Sequence, residues 1–345
     1  MDFATTLTQR LVRFPSVSGD FDGQRAVQEE CLSLLDGCSI TRGTSERPWS
    51  LATTSDSPVV LFCCHTDTVP TGDGWTTPPF DGLISGDSLH GRGSVDMKGG
   101  LAAAVTAVRF ALDNGLSAGL LMTADEEIGT LGAADIASSS MSLSPQLVVI
   151  PEATDNKYSR GHRGVSWFTV RAHGVAGHGS MPHTGVNAIS LLSEHVISRL
   201  SDAPIAHDDY LGSDSLNIGT IRGGEAQNMI PDLAELTIDT RVVKGANDIK
   251  AWLDATPPSI EVIQHFDMPP LKSDGLPQVM EQFTDLGPMP YFTDGSLLHP
   301  MLGNAPAVVW GPGGGTEMHT VDETLDVSSL RQAVENFTAV VRALG

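Results

Sequence analysis

The chain has 345 residues, of which 40% are hydrophobic and 18% charged, and its formal net charge is -22 at pH 7. This length exceeds the usual size of a single hydrophobic core, so we expect two domains. The acidic balance argues against nucleic acid or an anionic membrane surface as a partner, because both favour basic patches. The sequence lacks a membrane-length apolar run and the apolar segment of a secretion signal, so we predict a cytoplasmic protein.

The first part of the chain predicts an α/β domain. Two amphipathic helices are expected near residues 3–14 and 22–36, separated by the loop FPSVSGD. Beyond them, the apolar runs VVLFCC (59–64), GLLMTA and QLVVI (146–150) predict buried strands, and MKGGLAAAVTAVRFALDNG predicts an Ala-rich helix that ends at Asn-Gly. Strands that alternate with helices indicate a mostly parallel sheet flanked by helices.

After about residue 160 the pattern changes. Strands are predicted at WFTVRAHG, SLNIGTI, AELTIDTRVV and SIEVIQHF, and helices at GVNAISLLSEHVISRL and NDIKAWLDA. Their order, β-α-β-β-α-β, is that of a ferredoxin-like α+β unit. The α/β character then returns with a buried strand at AVVW (307–310) and a C-terminal helix from about Val327. We therefore predict a catalytic α/β domain over residues 1–160 and 271–345, with an inserted domain over residues 161–270.

Residues of the kinds that bind metals follow the predicted strands where each strand ends. They are, in chain order, His65 and Asp67 after VVLFCC, Asp96 before the Ala-rich helix, Asp125 to Glu127 after LLMTA, Glu152 after LVVI, and His319 after AVVW. Ligands of open α/β sheets bind outside the carboxyl ends of the strands, so these side chains are expected to share one cleft. Two imidazoles with several carboxylates favour a two-metal hydrolase site.

Within the acidic run Asp125 to Glu127, the two adjacent glutamates are expected to have different roles. Successive side chains project in different directions, so Glu127 can bind a metal while Glu126 faces the substrate and acts as general base. Each motif alone has a simpler interpretation, since a His at a strand end is usually only hydrogen-bonded and an Asp before a helix is usually an N-cap. Their coincidence at four strand ends favours the metal site. The remaining histidines that lack a partner pattern are expected to be surface or core residues: His162, His195, His207, His265 and His299.

The motifs HTDTVP, GRGSVDMKGG, ADEEIG, PEA and GPG…HTVDE, with the inserted GVAGHGSMPHTGVNAI, resemble the M20 metallopeptidases. Within that family the chain is most similar to the acetylornithine deacetylase and succinyl-diaminopimelate desuccinylase type. The resemblance implies two zinc ions, replaceable by cobalt or manganese, that share Asp96. His65 and Glu152 would complete the first site, and Glu127 and His319 the second. The peptide bond after Asp96 is expected to be cis.

The same resemblance implies roles for further residues. Asp67 would orient His65, and Glu126 would be the general base. His178 would donate a hydrogen bond to the oxyanion, in the same chain or across a dimer, while Asn228 and Arg241 would contact the substrate. The inserted domain resembles the lid and dimerisation domain of the family.

We therefore expect a dinuclear zinc-dependent amidohydrolase that cleaves an N-acyl amino acid in arginine or lysine biosynthesis. A water activated by the metals would attack the acyl carbon, and Arg163 and Arg241 could each bind a substrate carboxylate through two hydrogen bonds. The sequence leaves open a di- or carboxypeptidase of the same family and an inactive metal-binding homologue. HExxH and GxxxxGK[ST] are absent, and GxSxG occurs as GLSAG (115–119) before a predicted strand, so no GxSxG elbow joins a strand to a helix. A serine hydrolase or nucleotide enzyme is therefore disfavoured. We expect a homodimer, with no nucleic-acid or membrane partner.

Overall fold

The computed structural model describes residues 1–139 and 141–345. The α-helices of these residues are α1 (Phe3–Val12), α2 (Phe21–Leu32), α3 (Gly99–Asn114), α4 (Leu131–Ala137), α5 (Ala188–His195), α6 (Asn247–Asp254), α7 (Gly295–Met301) and α8 (Val327–Leu344). A π-type turn spans Ser94–Lys98, and 3-10 turns span Pro182–Thr184, Ile197–Asp202 and Gln278–Gln282. Within the described ranges, every helix falls short of the length and apolar character that crossing a membrane requires.

The strands are mostly short. The first ten are β1 (Ser39–Arg42), β2 (Ser50–Thr53), β3 (Val60–His65), β4 (Leu83–Ser85), β5 (Ser88–His90), β6 (Ala118–Thr123), β7 (Leu147–Ile150), β8 (Gly161–His162), β9 (Gly164–His173) and β10 (Gly177–His178). The others are β11 (His207–Asp208), β12 (Gly212–Ser213), β13 (Ser215–Gly223), β14 (Met229–Ile230), β15 (Leu233–Val242), β16 (Ile260–Met268), β17 (Leu271–Lys272), β18 (Ala307–Val309) and β19 (Thr324–Asp326).

The chain divides into two compact units. Unit 1 comprises residues 1–161, 272–289 and 293–345, and unit 2 comprises residues 162–271 and 290–292. The sequence predicts only residues 161–270 as the inserted domain, whereas the short segment 290–292 also groups with unit 2.

Unit 1 is built on a mixed sheet with the strand order β1-β2-β6-β3-β7-β18. Strands β6, β3, β7 and β18 are parallel, and β1 and β2 form an antiparallel edge. Strands β3, β6 and β7 are buried along their whole length, which explains their continuous apolar sequences. The predicted α/β class is confirmed. The antiparallel edge escaped prediction because its four-residue strands, SITR and SLAT, carry no clear periodic pattern.

The helices of unit 1 begin and end where side-chain chemistry favours it. The carboxylates of Asp2, Asp20 and Asp326 accept backbone N–H groups at the starts of α1, α2 and α8. Such caps satisfy donors that have no partner within the helix. Helix α3 ends at Asn114, and the next residue, Gly115, caps it in the left-handed conformation with φ 66°.

Helices α1, α3 and α8 share one hydrophobic core with the sheet of unit 1. The ring of Phe337 lies 5.1 Å from that of Phe62 and 5.5 Å from that of Trp310. The start of α3 approaches the end of β7 so closely that a Cβ at Gly100 would lie 2.0 Å from the carbonyl oxygen of Pro151. A glycine is therefore required there, and the close approach brings the residue after Pro151 to the N-terminal end of α3.

Unit 2 contains an antiparallel sheet with the strand order β13-β15-β9-β16. Helices α5 and α6 contribute to its hydrophobic core. Buried positions alternate along β15, as expected for a sheet with one covered face. The chain order β9-α5-β13-β15-α6-β16 is the ferredoxin-like order that the sequence predicts.

Candidate metal centre

The candidate site of unit 1 lies at the carboxyl end of its parallel strands. Strand β3 ends at His65, which lies beside Thr123, the last residue of β6. The acidic run 125–127 follows β6, and Glu152 follows the end of β7. Parallel strands therefore deliver all of these side chains to one edge of the sheet.

Asp96 lies between the two predicted histidine ligands. Its Oδ1 is 3.0 Å from Nε2 of His65, and its Oδ2 is 3.1 Å from Nε2 of His319. Each carboxylate oxygen thus faces a different imidazole, which is the arrangement that a bridging carboxylate requires. The peptide bond between Asp96 and Met97 is cis, which confirms that expectation.

Two further glutamates complete this arrangement. Oε1 of Glu152 lies 3.5 Å from Nε2 of His65, and Oε2 of Glu127 lies 3.0 Å from Nε2 of His319. Two groups that share Asp96 each have their ligand atoms within 4.8 Å of one another: His65, Asp96 and Glu152, and Asp96, Glu127 and His319. The structure thus brings together the five residues that the resemblance implies as ligands.

The site concentrates negative charge away from water. Asp96, Glu126 and Glu152 are at most 9% exposed. Burial, reinforced by neighbouring carboxylates, raises the pKa of both Glu126 and Glu152 well above the ordinary value of 4.5. Burial also opposes ionisation of Asp96, but hydrogen bonds from His319 and His65 outweigh it and hold the pKa of Asp96 well below its ordinary value. Hydrogen bonds to Asp96 and Glu127 raise the pKa of His319 to about 10.

This donor set fits divalent cations. Four carboxylates, of Asp96, Glu126, Glu127 and Glu152, meet two imidazoles, so the side chains themselves leave negative charge in a mostly buried place. Buried charge without compensation is costly, and cations would relieve that cost. Imidazole nitrogen with carboxylate oxygen suits zinc, cobalt or manganese.

Asp67 holds the ring of His65 in the orientation that a metal ligand needs. Nδ1 of His65 lies 3.1 Å from the carbonyl oxygen and 3.5 Å from the carboxylate Oδ1 of Asp67. Both atoms are acceptors, so Nδ1 donates to Asp67. With a cation bound, Nδ1 would keep this hydrogen and Nε2, which faces Asp96 and Glu152, would provide the lone pair. This contact is the one that the resemblance implies for Asp67.

Asp67 also organises the acidic run after β6. Its Oδ1 accepts the backbone N–H of Glu126 at 3.0 Å, and its Oδ2 accepts that of Glu127 at 3.2 Å. The carboxylate is completely buried, so these charge-assisted hydrogen bonds form out of water. One side chain therefore fixes His65 and the backbone of both glutamates.

Asp125, the first residue of the acidic run, has partners of its own. Its Oδ2 accepts from Nε of Arg47 at 2.9 Å, and its Oδ1 accepts from the N–H of Gly19 and from Nε2 of Gln24, each at 2.8 Å. Asp125 adopts the left-handed conformation with φ 55°, which Asp tolerates better than most residues. Arg47 therefore neutralises the first carboxylate of the run, and the next two face the site.

Sequence reasoning missed Glu323, which shapes the segment before Asp96. Its buried carboxylate accepts from Nη1 of Arg92 at 2.6 Å. It also accepts the backbone N–H groups of Gly93, Val95 and Asp96 at 2.9, 2.8 and 3.2 Å. The sequence signal for Glu323 was its place in HTVDE, close to His319. An acid in a loop does not by itself indicate that it binds the backbone of a distant segment.

Asp294 is a second buried acid that the sequence did not indicate. Its Oδ2 lies 2.5 Å from Oγ1 of Thr123, at the end of β6. Burial raises the pKa of Asp294 to about 7. Its charge in turn adds to the elevation of the Glu126 pKa, so Asp294 contributes to the electrostatics of the site.

Two of the predicted unit 2 residues lie together on the ribbon formed by β10 and β14. His178 pairs with Met229, and the N–H of Gly179 donates to the carbonyl oxygen of Asn228 at 2.8 Å. The N–H of Ser180 donates to Nδ1 of His178 at 3.2 Å, so the neutral ring carries its hydrogen on Nε2. The exposed His178 therefore presents an N–H donor, as an oxyanion contact requires.

The two predicted arginines of unit 2 lie elsewhere on its sheet. Arg241 is opposite Ser215 in the β15–β13 pair, and Nη1 of Arg163 lies 3.3 Å from Oγ of the same serine. The ribbon instead adjoins the Leu233 end of β15, eight residue steps from Arg241. At roughly 3.4 Å per residue the two ends are ~27 Å apart. A single chain therefore does not bring the two arginines together with the ribbon residues.

The comparisons with known proteins agree with this geometry. The family described as Peptidase family M20/M25/M40 matches residues 61–343. The chain is similar to an acetylornithine deacetylase of Salmonella arizonae, with 33% identity over 309 residues, which cover 82% of this chain and 79% of the relative.

Two solved structures share the fold. One is an M20 family metallo-carboxypeptidase from Sulfolobus solfataricus, with a TM-score of 0.79 and 17% identity over 99% of each chain. The other is a dinuclear metal-binding M20 peptidase from Bacillus subtilis, with a TM-score of 0.68 and 17% identity over 99% of this chain and 97% of the other. With the family match and the curated relative, the chain therefore belongs to peptidase family M20/M25/M40 and is a hydrolase of that metallopeptidase family.

Proposed function

We propose that this hydrolase cleaves the amide bond of an N-acyl amino acid in arginine or lysine biosynthesis, in the cytoplasm. The observation that carries the proposal is a buried glutamate, Glu126, that belongs to neither group of candidate ligands and directly precedes one of them, Glu127. The relative named acetylornithine deacetylase supports an acyl amino acid as substrate. Similarity to a metallo-carboxypeptidase keeps a short peptide as the alternative, because both substrates present the same amide.

We assign one cation to His65, Asp96 and Glu152 and the second to Asp96, Glu127 and His319, with zinc as the first choice and cobalt or manganese as substitutes. When bound, the cations supply Lewis acidity at the amide carbonyl and lower the pKa of a water molecule. Asp67 would keep the hydrogen of His65 on Nδ1 and leave Nε2 to the metal, a role that its contacts with Nδ1 support.

Glu126 is the residue that moves the proton in this proposal. Asp67 accepts the backbone N–H of Glu126 and thereby fixes the backbone of that residue. In this proposal the side chain of Glu126 acts as the base, and that of Glu127 binds the metal. Glu126 takes a proton from the attacking water and delivers it to the leaving amine, so the carboxylate is restored after each turnover. A buried carboxylate with a raised pKa is suited to both halves of this transfer.

The substrate class is tested by a panel of N-acetylornithine, N-succinyl-diaminopimelate and dipeptides assayed with zinc or cobalt. We expect one of the two N-acyl amino acids to exceed every dipeptide in kcat/KM by about tenfold or more, because a buried site discriminates strongly between polar groups that it does and does not pair. Faster turnover of dipeptides would favour the peptidase alternative. No turnover of any member would support an inactive homologue.

The division of labour between the two glutamates predicts different losses. Glu126→Ala should keep its metal content but lose turnover by ~10²–10⁴-fold, since it removes only the base. Glu127→Ala should lose metal as well, because it removes a ligand. Elemental analysis and kcat distinguish the two variants, with Glu335→Ala, which changes an exposed glutamate on α8, as the control. Equal metal loss in the Glu126 and Glu127 variants would contradict the assignment.

Removal of metal should affect both activity and stability. Exhaustive chelation should abolish turnover, and zinc or cobalt should restore it. The metal-free protein should also melt at a lower temperature, because cations that bind only the folded state stabilise it. Calorimetry with and without chelator measures this shift. Full activity in excess chelator after long dialysis would rule out a two-metal mechanism.

We also propose that unit 2 forms a homodimer. Several large apolar side chains are exposed on it, in and near the β10–β14 ribbon, α5 and the β13 edge: Val175, Met181, Ile189, Ile221 and Leu233. Exposed apolar groups at an unpaired sheet edge favour association. A substrate of amino-acid size cannot contact both ends of a sheet that are ~27 Å apart. If His178 and Arg241 both act on one substrate, they therefore come from two chains.

Complementation tests this arrangement. His178→Ala and Glu126→Ala should each be nearly inactive alone, but their mixture should recover about one quarter of wild-type activity after subunit exchange. Half of the dimers are then mixed, and each mixed dimer has one site with both groups intact, because a two-fold interface exchanges residues reciprocally. A mixture of Glu126→Ala and Glu127→Ala is the control and should recover nothing. No recovery in the first mixture, despite proven exchange, would show that His178 does not act across the dimer.

A further inference from the structure

We propose that Ser18 is a positioning residue of the metal centre, whose hydroxyl holds Asp67 and thereby sets the orientation of His65, Glu126 and Glu127. The inference rests on the proposed two-metal site and deepens it. Ser18 lies in the FPSVSGD loop between α1 and α2, far in sequence from every candidate ligand.

The hydroxyl completes the hydrogen bonding of the Asp67 carboxylate. Oγ of Ser18 donates to Oδ2 of Asp67 at 2.8 Å, and the same oxygen accepts the N–H of Glu127 at 3.2 Å. The other oxygen accepts the N–H of Glu126 at 3.0 Å and faces Nδ1 of His65 at 3.5 Å. A carboxylate has about four acceptor positions, so these donors occupy it fully. Two of them belong to the segment after β6, one is His65 at the end of β3, and the fourth is Ser18.

The loop that carries Ser18 is bound along the segment after β3. The N–H of Thr68 donates to the carbonyl oxygen of Ser16, and the N–H of Ser18 donates to that of Thr68, both at 3.0 Å. Oγ of Ser16 donates to the carbonyl oxygen of Thr66 at 2.8 Å. The position of the Ser18 hydroxyl is therefore set by backbone contacts that do not involve the hydroxyl itself.

The same loop also contacts two other segments of the candidate metal site. The N–H of Gly19 donates to Oδ1 of Asp125 at 2.8 Å, in the acidic run after β6. The carbonyl oxygen of Phe14 accepts from Nζ of Lys98 at 2.8 Å, and Lys98, two residues after Asp96, is buried. The loop thus connects three separate parts of the site, and Ser18 is its contact with the central carboxylate.

Loss of the hydroxyl should act on the metal centre more than on the fold. Oγ of Ser18 is also 3.3 Å from the carbonyl oxygen of Thr68, but that contact is longer than the bond to Asp67. The backbone bonds of the loop would remain in Ser18→Ala, so the change falls on Asp67, which loses one donor and is held less firmly against His65 and the glutamate N–H groups. Partners that orient metal ligands typically contribute ~10–100-fold in metal affinity.

The experiment measures zinc affinity by competition with a fluorescent chelator, together with kcat, KM and the melting temperature of the metal-free protein. Ser18→Ala should weaken zinc binding by ~10–100-fold and lower kcat with KM within about twofold, since the substrate contacts are not removed. Its metal-free melting temperature should stay close to that of the wild type. Ser18→Thr keeps a hydroxyl and should restore zinc affinity.

Ser33→Ala is the matched control, because its Oγ donates to the carbonyl oxygen of Glu30 in an exposed position at the end of α2. It should leave zinc affinity unchanged. Should Ser18→Ala not fold, Ser18→Cys, a weaker donor of similar size, takes its place with the same expected direction. Wild-type zinc affinity in the Ser18 variant would overturn the inference, as would a loss of metal-free stability that Ser18→Thr does not correct. Zinc affinity is measured without substrate, so a wrong substrate assignment leaves this result interpretable.

Discussion

The structure depends on holding many carboxylates at one mostly buried edge of a sheet. Burial and mutual repulsion both disfavour their charged forms. The fold meets this constraint by giving the outlying acids partners of their own. Asp125 is paired with Arg47, Glu323 with Arg92, and Asp67 with backbone and hydroxyl donors. The negative charge that remains is at the centre, where cations would compensate it and where we propose that catalysis takes place.

Backbone N–H groups do much of the positioning. Asp67 accepts those of Glu126 and Glu127, and Glu323 accepts three in the segment that ends at Asp96. The loops that carry candidate ligands are therefore fixed by buried acids that are not ligands themselves. Such pre-organisation places side chains before a metal or substrate binds, so less ordering remains to be done at that step.

The two units have different tasks in the proposed mechanism. Unit 1 contains a complete set of candidate ligands and the proposed base, whereas unit 2 holds its predicted contacts at opposite ends of one sheet. Strand length sets that separation, because an extended chain advances roughly 3.4 Å per residue. A small substrate would use both ends only if two chains contributed to one site, which links proposed catalysis to proposed assembly.

The sequence by itself determined the α/β class and the candidate ligands. Strands buried on both faces must be continuously apolar, and the polar residues that follow them must lie at the carboxyl edge of the sheet. It did not reveal the edge strands β1 and β2, which are too short for a periodic pattern. Only the tertiary structure decided how the acids are held, because Ser18 meets Asp67 across 49 positions and Glu323 meets Gly93 across 230. A hydrogen bond between distant loops depends on the path of the whole chain, and no local pattern of side chains encodes it.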